Sequence, residues 1–141
     1  MRRRNGVPLG APGSLRNMFH RALGATSFAG FWRYWNPIFG YVLARYVHAP
    51  LQRFVPTPVS VVITFAVCGA LHDLVTAAVR GSAAFLFTPW FVFLGIGVVI
   101  GSALSLDLRA LPWLGRATVH LAYLGTCLAA AIALRRFAGL P

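Results

Sequence analysis

Three polar residues stand out in this sequence because their surroundings are apolar or aromatic. His72 and Asp73 lie within a long apolar run, and Asn36 stands 36 residues before His72, at the end of an aromatic stretch. A charged side chain at the centre of a bilayer costs about 2.5 to 3.5 kcal/mol on insertion scales, so an ionisable residue there indicates function. A neutral imidazole exchanges protons near cellular pH, whereas helix packing does not need one. We therefore expect a functional His72, and the alternative is a hydrogen-bonded core histidine.

The composition indicates a membrane protein. Hydrophobic residues make up 58% of the 141 residues and charged residues 11%, with a mean hydropathy of +0.71. The net charge of +11 comes from 13 arginines against two acidic residues. Because these arginines flank apolar runs, they favour anionic lipid headgroups, and we expect membrane lipids rather than nucleic acid as partners. The sequence contains no metal-ligand cluster, and Cys68 and Cys127 fall within apolar runs, where they do not predict a disulfide.

The distribution of apolar residues predicts an all-α, multi-pass membrane protein with three spanning helices. A basic tail (residues 1–16) and an interfacial segment with one short helix (17–54) precede spans at 59–79, 84–106 and 117–134. Each run holds about 18 to 23 residues, enough to cross a hydrocarbon core of about 30 Å. Ten arginines fall on one side of these spans and three on the other. This bias predicts a cytoplasmic N-terminus in the cell membrane.

Small and polar residues recur at helical spacing on the first two predicted spans. On the first span the four-residue intervals join Ser60, Thr64, Cys68 and His72. Apart from His72, this stripe also suits plain helix packing. On the second span Gly97, Gly101 and Ser105 suit close contact with another helix. Because lipid offers no hydrogen bonds, both faces need partners, and we expect a homo-oligomer or a second membrane subunit.

Three segments together resemble the membrane-bound O-acyltransferase family. They are Phe31-Trp32-Arg33-Tyr34-Trp35-Asn36-Pro37, Arg45-Tyr46-Val47-His48-Ala49-Pro50-Leu51 and Phe65-Ala66-Val67-Cys68-Gly69-Ala70-Leu71-His72-Asp73. In that family an asparagine or histidine after a tryptophan and a histidine within a later membrane helix form the active site. The asparagine at position 36 makes the likeness closest to the sterol acyltransferase, diacylglycerol acyltransferase and wax synthase branches.

The resemblance implies transfer of a fatty acyl group from acyl-coenzyme A to the hydroxyl of a lipid or alcohol. His72 would be the general base, and Asn36 would position the acceptor or polarise the thioester. Acyl-coenzyme A would be a co-substrate, with no bound cofactor. Candidate substrate-binding residues are Trp32, Trp35, Arg33, Arg45, Thr64 and Cys68. The arginines would meet the phosphates of coenzyme A, and the alternative is that they extend to lipid headgroups.

Members of the family are usually several times longer, with more helices enclosing the substrates. We therefore expect several copies or a separate polypeptide to complete the site. The alternative function is a non-catalytic membrane subunit, or a remnant of such an enzyme that needs a partner chain.

Overall fold

All regular structure in the described part of the chain is helical. The computed structural model describes residues 7–8, 10–81 and 85–139. In chain order the elements are α1 (Ser14–Leu23), α2 (Phe28–Tyr34), α3 (Pro37–Leu43), a π-helical turn (Ala44–His48), α4 (Ala49–Leu51), α5 (Thr57–Arg80), α6 (Phe87–Ala103) and α7 (Trp113–Phe137). The predicted all-α fold class is confirmed.

Two of these helices are long and apolar enough to cross a membrane. They are α5, with 24 residues, and α7, with 25 residues, whereas the apolar helix α6 is shorter, with 17 residues. All three match runs predicted as spans. The predicted start of the second span, residue 84, lies outside the described residues, as do residues 1–6 and 9 of the predicted tail.

Helices α5 and α6 form a closely packed antiparallel pair. A Cβ atom added to Gly69 of α5 would lie 2.6 Å from the backbone carbonyl oxygen of Phe87, at the start of α6. Further along, a Cβ on Gly95 of α6 would lie 2.9 Å from the Cβ of Phe65. Both distances are shorter than a non-bonded contact between these atoms allows. The two glycines therefore permit the helices to approach closely.

Helix α7 covers the opposite face of α6. The ring of Tyr123 packs on Gly97, where an added Cβ would lie 2.5 Å from the ring atom Cε2. The hydroxyl of Tyr123 donates to the backbone carbonyl of Leu94, and a similar anchor joins the Trp90 indole N–H to the carbonyl of Leu124 at 3.1 Å. Gly101 also packs, on Phe28 of α2. The two glycines of the small-residue face predicted on the second span are thus covered within the chain, whereas Ser105 lies beyond the end of α6 and is exposed.

The N-terminal helices pack on this three-helix unit. Phe31 of α2 is only 1% exposed, and its ring lies 5.2 Å from the imidazole of His120, measured between centroids. The fully buried His120 bonds to the backbone carbonyl of Ala25 through Nε2, at 3.0 Å. These contacts hold α2, and the tryptophans that it carries, against α6 and α7.

The stretch from α3 to α4 runs antiparallel to α5. Phe39 of α3 lies beside His72, with ring centroids 6.0 Å apart. His48, at the end of the π-helical turn, meets Ser60 near the start of α5. Residues 37–51 and residues 60–72 therefore form the two long walls of a groove.

Candidate active site

The groove between α3 and α5 contains a pocket of about 230 Å³. Most of its lining is apolar or aromatic, and the polar side chains are few. The residues that line it are Trp32, Trp35, Asn36, Phe39, Gly40, Leu43, Ala44, His48, Val61, Thr64, Phe65, Cys68, His72 and Phe91. A concave, mostly apolar pocket with a few converging polar groups is the usual form of a small-molecule site.

His72 is half-buried, and only one of its two ring nitrogens is engaged by the backbone. Its Nδ1 lies 2.7 Å from the backbone carbonyl oxygen of Cys68, one turn earlier in α5. A carbonyl oxygen can only accept, so Nδ1 carries the proton and donates it to this bond. Nε2 is then the nitrogen with a free lone pair. The ring orientation is fixed further by Phe91, which stacks on it at 5.0 Å between centroids.

Asn36 reaches the pocket from an unusual backbone conformation. Its φ of 37° and ψ of 70° are left-handed, a region where asparagine is among the better tolerated residues. Its side-chain oxygen caps α3 by accepting from the backbone N–H of Phe39, at 3.4 Å. The Nδ2 amino group lies outside this cap. It is therefore the part of the side chain available to donate to a ligand.

Four other predicted residues also line the pocket. Trp32 and Trp35 come from α2 and its C-terminal end, and Thr64 and Cys68 come from α5. The Trp32 indole N–H donates to the hydroxyl of Tyr123 at 3.3 Å, so α7 holds this ring in place from behind. The structure thus brings together six of the residues that the sequence singled out.

The two predicted phosphate-contacting arginines lie outside the pocket. Arg33 and Arg45 are both exposed. The guanidinium of Arg45 lies 3.5 Å from the hydroxyl of Tyr41 and 5.9 Å from the ring centroid of Tyr46. Their proposed contact with coenzyme A stays a prediction.

His48 also lines the pocket, although the sequence pattern did not predict it as a site residue. Its Nδ1 lies 2.8 Å from the Oγ of Ser60, and the same hydroxyl donates to the backbone carbonyl of His48 at 3.0 Å. Because a hydroxyl has one proton, Nδ1 must donate to Oγ, which leaves Nε2 with the lone pair. Single π-helical turns are frequent at functional sites. The π-helical turn that ends at His48 therefore indicates that this residue belongs to the site, and the turn is visible only in the structure.

Asp73 does not line the pocket; its role is structural. One carboxylate oxygen accepts from the backbone N–H of Phe87 at 2.9 Å. The other accepts from the backbone N–H and the hydroxyl of Thr88, at 2.7 and 2.6 Å. Asp73 thus caps α6 from a neighbouring helix and satisfies the N–H groups that begin it.

The described residues do not suggest a metal centre. In residues 7–8, 10–81 and 85–139 no three histidine, cysteine or acidic side chains come close enough together to hold an ion. The polar side chains that line the pocket carry two imidazoles, a carboxamide, a hydroxyl and a thiol.

The chain is a helical membrane protein, and its apolar pocket carries an imidazole and a carboxamide. This combination places it in the class of membrane proteins with an enzyme-like site. Within that class, the sequence profile of the membrane-bound O-acyltransferase family matches residues 12–100, which is more than half of the chain. The chain belongs to this family. It is accordingly a membrane protein of acyltransferase type, and the matched residues include the whole pocket.

No curated protein and no solved structure gives a significant match to the chain.

Proposed function

We propose that this protein transfers a fatty acyl group from acyl-coenzyme A to a hydroxyl group of a lipid or an alcohol. The observation that carries the proposal is the joint placement of His72 and Asn36 on one apolar pocket. An imidazole with an open Nε2 is the group that general-base catalysis requires. An apolar lining is what a fatty acyl chain requires.

In the proposed reaction the acceptor oxygen attacks the thioester carbonyl carbon while His72 Nε2 takes the hydroxyl proton. The carbon–sulfur bond then breaks, and the imidazolium returns the proton to the thiolate of coenzyme A. The hydrogen bond from Nδ1 to the Cys68 carbonyl, at 2.7 Å, keeps Nε2 as the proton acceptor. Such a base contributes about 10² to 10⁴-fold to the rate.

Asn36 fits the role of hydrogen-bond donor in this reaction. Of the two roles open to a carboxamide, accepting from the acceptor hydroxyl is less favoured, because Oδ1 already caps α3. The Nδ2 amino group would donate to the thioester oxygen as negative charge develops there. An asparagine at this position also favours the branches that esterify sterols, diacylglycerol or fatty alcohols.

We further propose that the chain crosses the membrane several times with its N-terminus in the cytoplasm, and works with a second copy or another membrane subunit. The arginine distribution supports the orientation. The exposed positions of Asn36 and Ala44 at the pocket support the partner, because one side of the site is left uncovered. The glycine face of α6 no longer supports a partner, since Tyr123 and Phe28 fill it.

The test is acyl transfer by the purified protein in lipid, with labelled acyl-coenzyme A and a panel of hydroxyl acceptors. The wild type should form a labelled ester, and His72→Ala should lower the rate by about 10² to 10⁴-fold. His120→Gln is a useful comparison, because His120 is buried outside the pocket. An inactive wild type, or activity indifferent to His72→Ala, would favour a non-catalytic subunit.

A further inference from the structure

A second pocket lies at the first turn of α7, between that turn and residues of α1, α2 and the loop that joins them. Its volume is about 370 Å³. Cationic and aromatic side chains dominate its lining, which consists of His20, Arg21, Gly24, Ala25, Thr26, Tyr34, Trp113 and Arg116. None of these residues is acidic.

One wall of this pocket is held in place by a hydrogen bond and by ring stacking. The Trp113 indole N–H donates to the backbone carbonyl of His20 at 3.0 Å, and the two rings stack with centroids 5.2 Å apart. An added Cβ on Gly24 would lie 2.6 Å from the Trp113 ring, so the absence of a side chain at Gly24 leaves room for the indole. The loop before α7 is tied to the same region, because the Leu108 N–H donates to the carbonyl of Thr26 at 2.9 Å.

The charge of the pocket is not balanced by carboxylate side chains of this chain. The sequence has two acidic residues, Asp73 and Asp107. Asp73 caps α6, and Asp107 pairs with Arg109 at 3.4 Å. Neither lines the pocket. In addition, Nε of Arg116 is shielded from solvent and has no hydrogen-bond partner among the described residues. This N–H group is a donor that no described residue uses.

The location of the pocket indicates which kind of ligand can reach it. Trp113 and Arg116 lie in the first turn of a 25-residue apolar helix, which is the level of the membrane interface, where tryptophan and arginine meet headgroups. A guanidinium binds phosphate oxygens through paired N–H groups. Basic pockets between membrane helices bind anionic lipid headgroups in this manner.

We propose that this second pocket binds the phosphate group of an anionic phospholipid, with Arg116 and Arg21 as its ligands and Trp113 as its aromatic wall. The site is distinct from the acyl-transfer pocket and shares no lining residue with it.

Native mass spectrometry of the full chain in mild detergent tests the proposal, with phosphatidylglycerol and phosphatidylcholine as probes. The wild type should retain phosphatidylglycerol in preference to phosphatidylcholine. Arg116→Gln and Arg21→Gln should each weaken that retention by about tenfold, the effect of losing one charged hydrogen bond. Arg109→Gln is the matched control, because that exposed arginine lies outside the pocket.

A thermal-unfolding series separates the two sources of phosphate and guards against misfolded variants. Phosphatidylglycerol should raise the unfolding midpoint of the wild type and of Arg109→Gln, but not that of Arg21→Gln, whose altered side chain is exposed. If inorganic phosphate alone gives the same protection, the phosphate chemistry stands and the ligand is soluble. Equal retention of both lipids by the wild type, or unchanged preference in both pocket variants, would overturn the proposal.

Discussion

Asp73 on α5 and Thr88 on α6 are joined by two hydrogen bonds, from the backbone N–H and the hydroxyl of Thr88 to one carboxylate oxygen, at 2.7 and 2.6 Å. The residue next to Asp73, His72, faces the pocket instead and stacks on Phe91 of the same helix α6. The adjacent residues Asp73 and His72 of α5 therefore have different roles. Asp73 fixes where α6 begins, and His72 packs its ring against Phe91 on the surface of α6.

Removing the Asp73 carboxylate should destabilise the protein. Asp73→Ala leaves the first N–H groups of α6 without their acceptor, at a cost of about 1 to 3 kcal/mol in the free energy of unfolding. Thermal unfolding in detergent measures it. Asp107→Ala is the control, because its exposed ion pair with Arg109 should contribute less than about 1 kcal/mol. Equal midpoints for the two variants would contradict the capping role.

The close approach of α5 and α6 predicts that Gly69 cannot be enlarged cheaply. In Gly69→Ala the new methyl group meets the Phe87 carbonyl and the Thr88 Cα, at 2.6 and 2.7 Å. We expect a loss of about 1 to 3 kcal/mol as the helices move apart. In Gly125→Ala the added methyl has nothing within 4 Å, so this second helical glycine should tolerate alanine. A Gly69→Ala protein as stable as Gly125→Ala would show that the packing is looser than described.

Asn36 allows its capping role and its proposed chemical role to be separated. Asn36→Asp keeps an oxygen for the Phe39 N–H and a residue type that tolerates left-handed backbone, but it removes the amino group. We therefore expect near-wild-type stability and a rate of acyl transfer lowered by about 10² to 10³-fold. Asn36→Ala should lose both stability and rate. Full activity in a folded Asn36→Asp protein would exclude the amino group as donor.

The two histidines of the pocket should differ in their effect on activity. His48 meets Ser60, which lies 12 residues before His72 on α5, a separation of about 18 Å along a helix. His48→Ala should therefore keep its rate within about tenfold of wild type, against about 10² to 10⁴-fold for His72→Ala. Steady-state rates of the two variants at matched expression decide the point. Losses of equal size would assign His48 a part in the chemistry.

The predicted orientation can be read by labelling single cysteines in intact cells. In a background lacking Cys68 and Cys127, cysteines at positions 81 and 139 should react with an impermeant reagent, since both follow the predicted outward ends of spanning helices. Cysteines at positions 16 and 109 should react only after permeabilisation, because the arginine bias places them inside. The reverse pattern would invert the topology.

Much of the candidate site was predictable, partly from helical spacing and partly from the family motif. The four-residue spacing of Thr64, Cys68 and His72 holds along α5, a regular helix, so these residues share a wall of the pocket. Asn36 and the tryptophans were found through the family motif. His48 was not predictable, because a π-helical turn changes the direction of the side chains that follow it, and sequence spacing assumes 3.6 residues per turn.

The partner of the small-residue face on the second span was not predictable, because tertiary contacts decide it. The face of Gly97 and Gly101 was correctly expected to pack closely, but the sequence did not reveal that the chain's own Tyr123 and Phe28 fill it. Side chains that are distant in sequence, and not helix periodicity, settled this point.

Among the residues that the structure describes, those lining the active-site pocket fall between positions 32 and 91, so α7 contributes none of them. Helix α7 supports the pocket from outside, through Tyr123 on Trp32 and the Leu124 carbonyl on Trp90. Because the chain is made from its N-terminus, every wall of the pocket has been synthesised before α7 emerges from the ribosome. The contacts that α7 makes with Trp32 and Trp90 can therefore form only after these pocket residues have been synthesised, and a chain released before α7 would lack both of them.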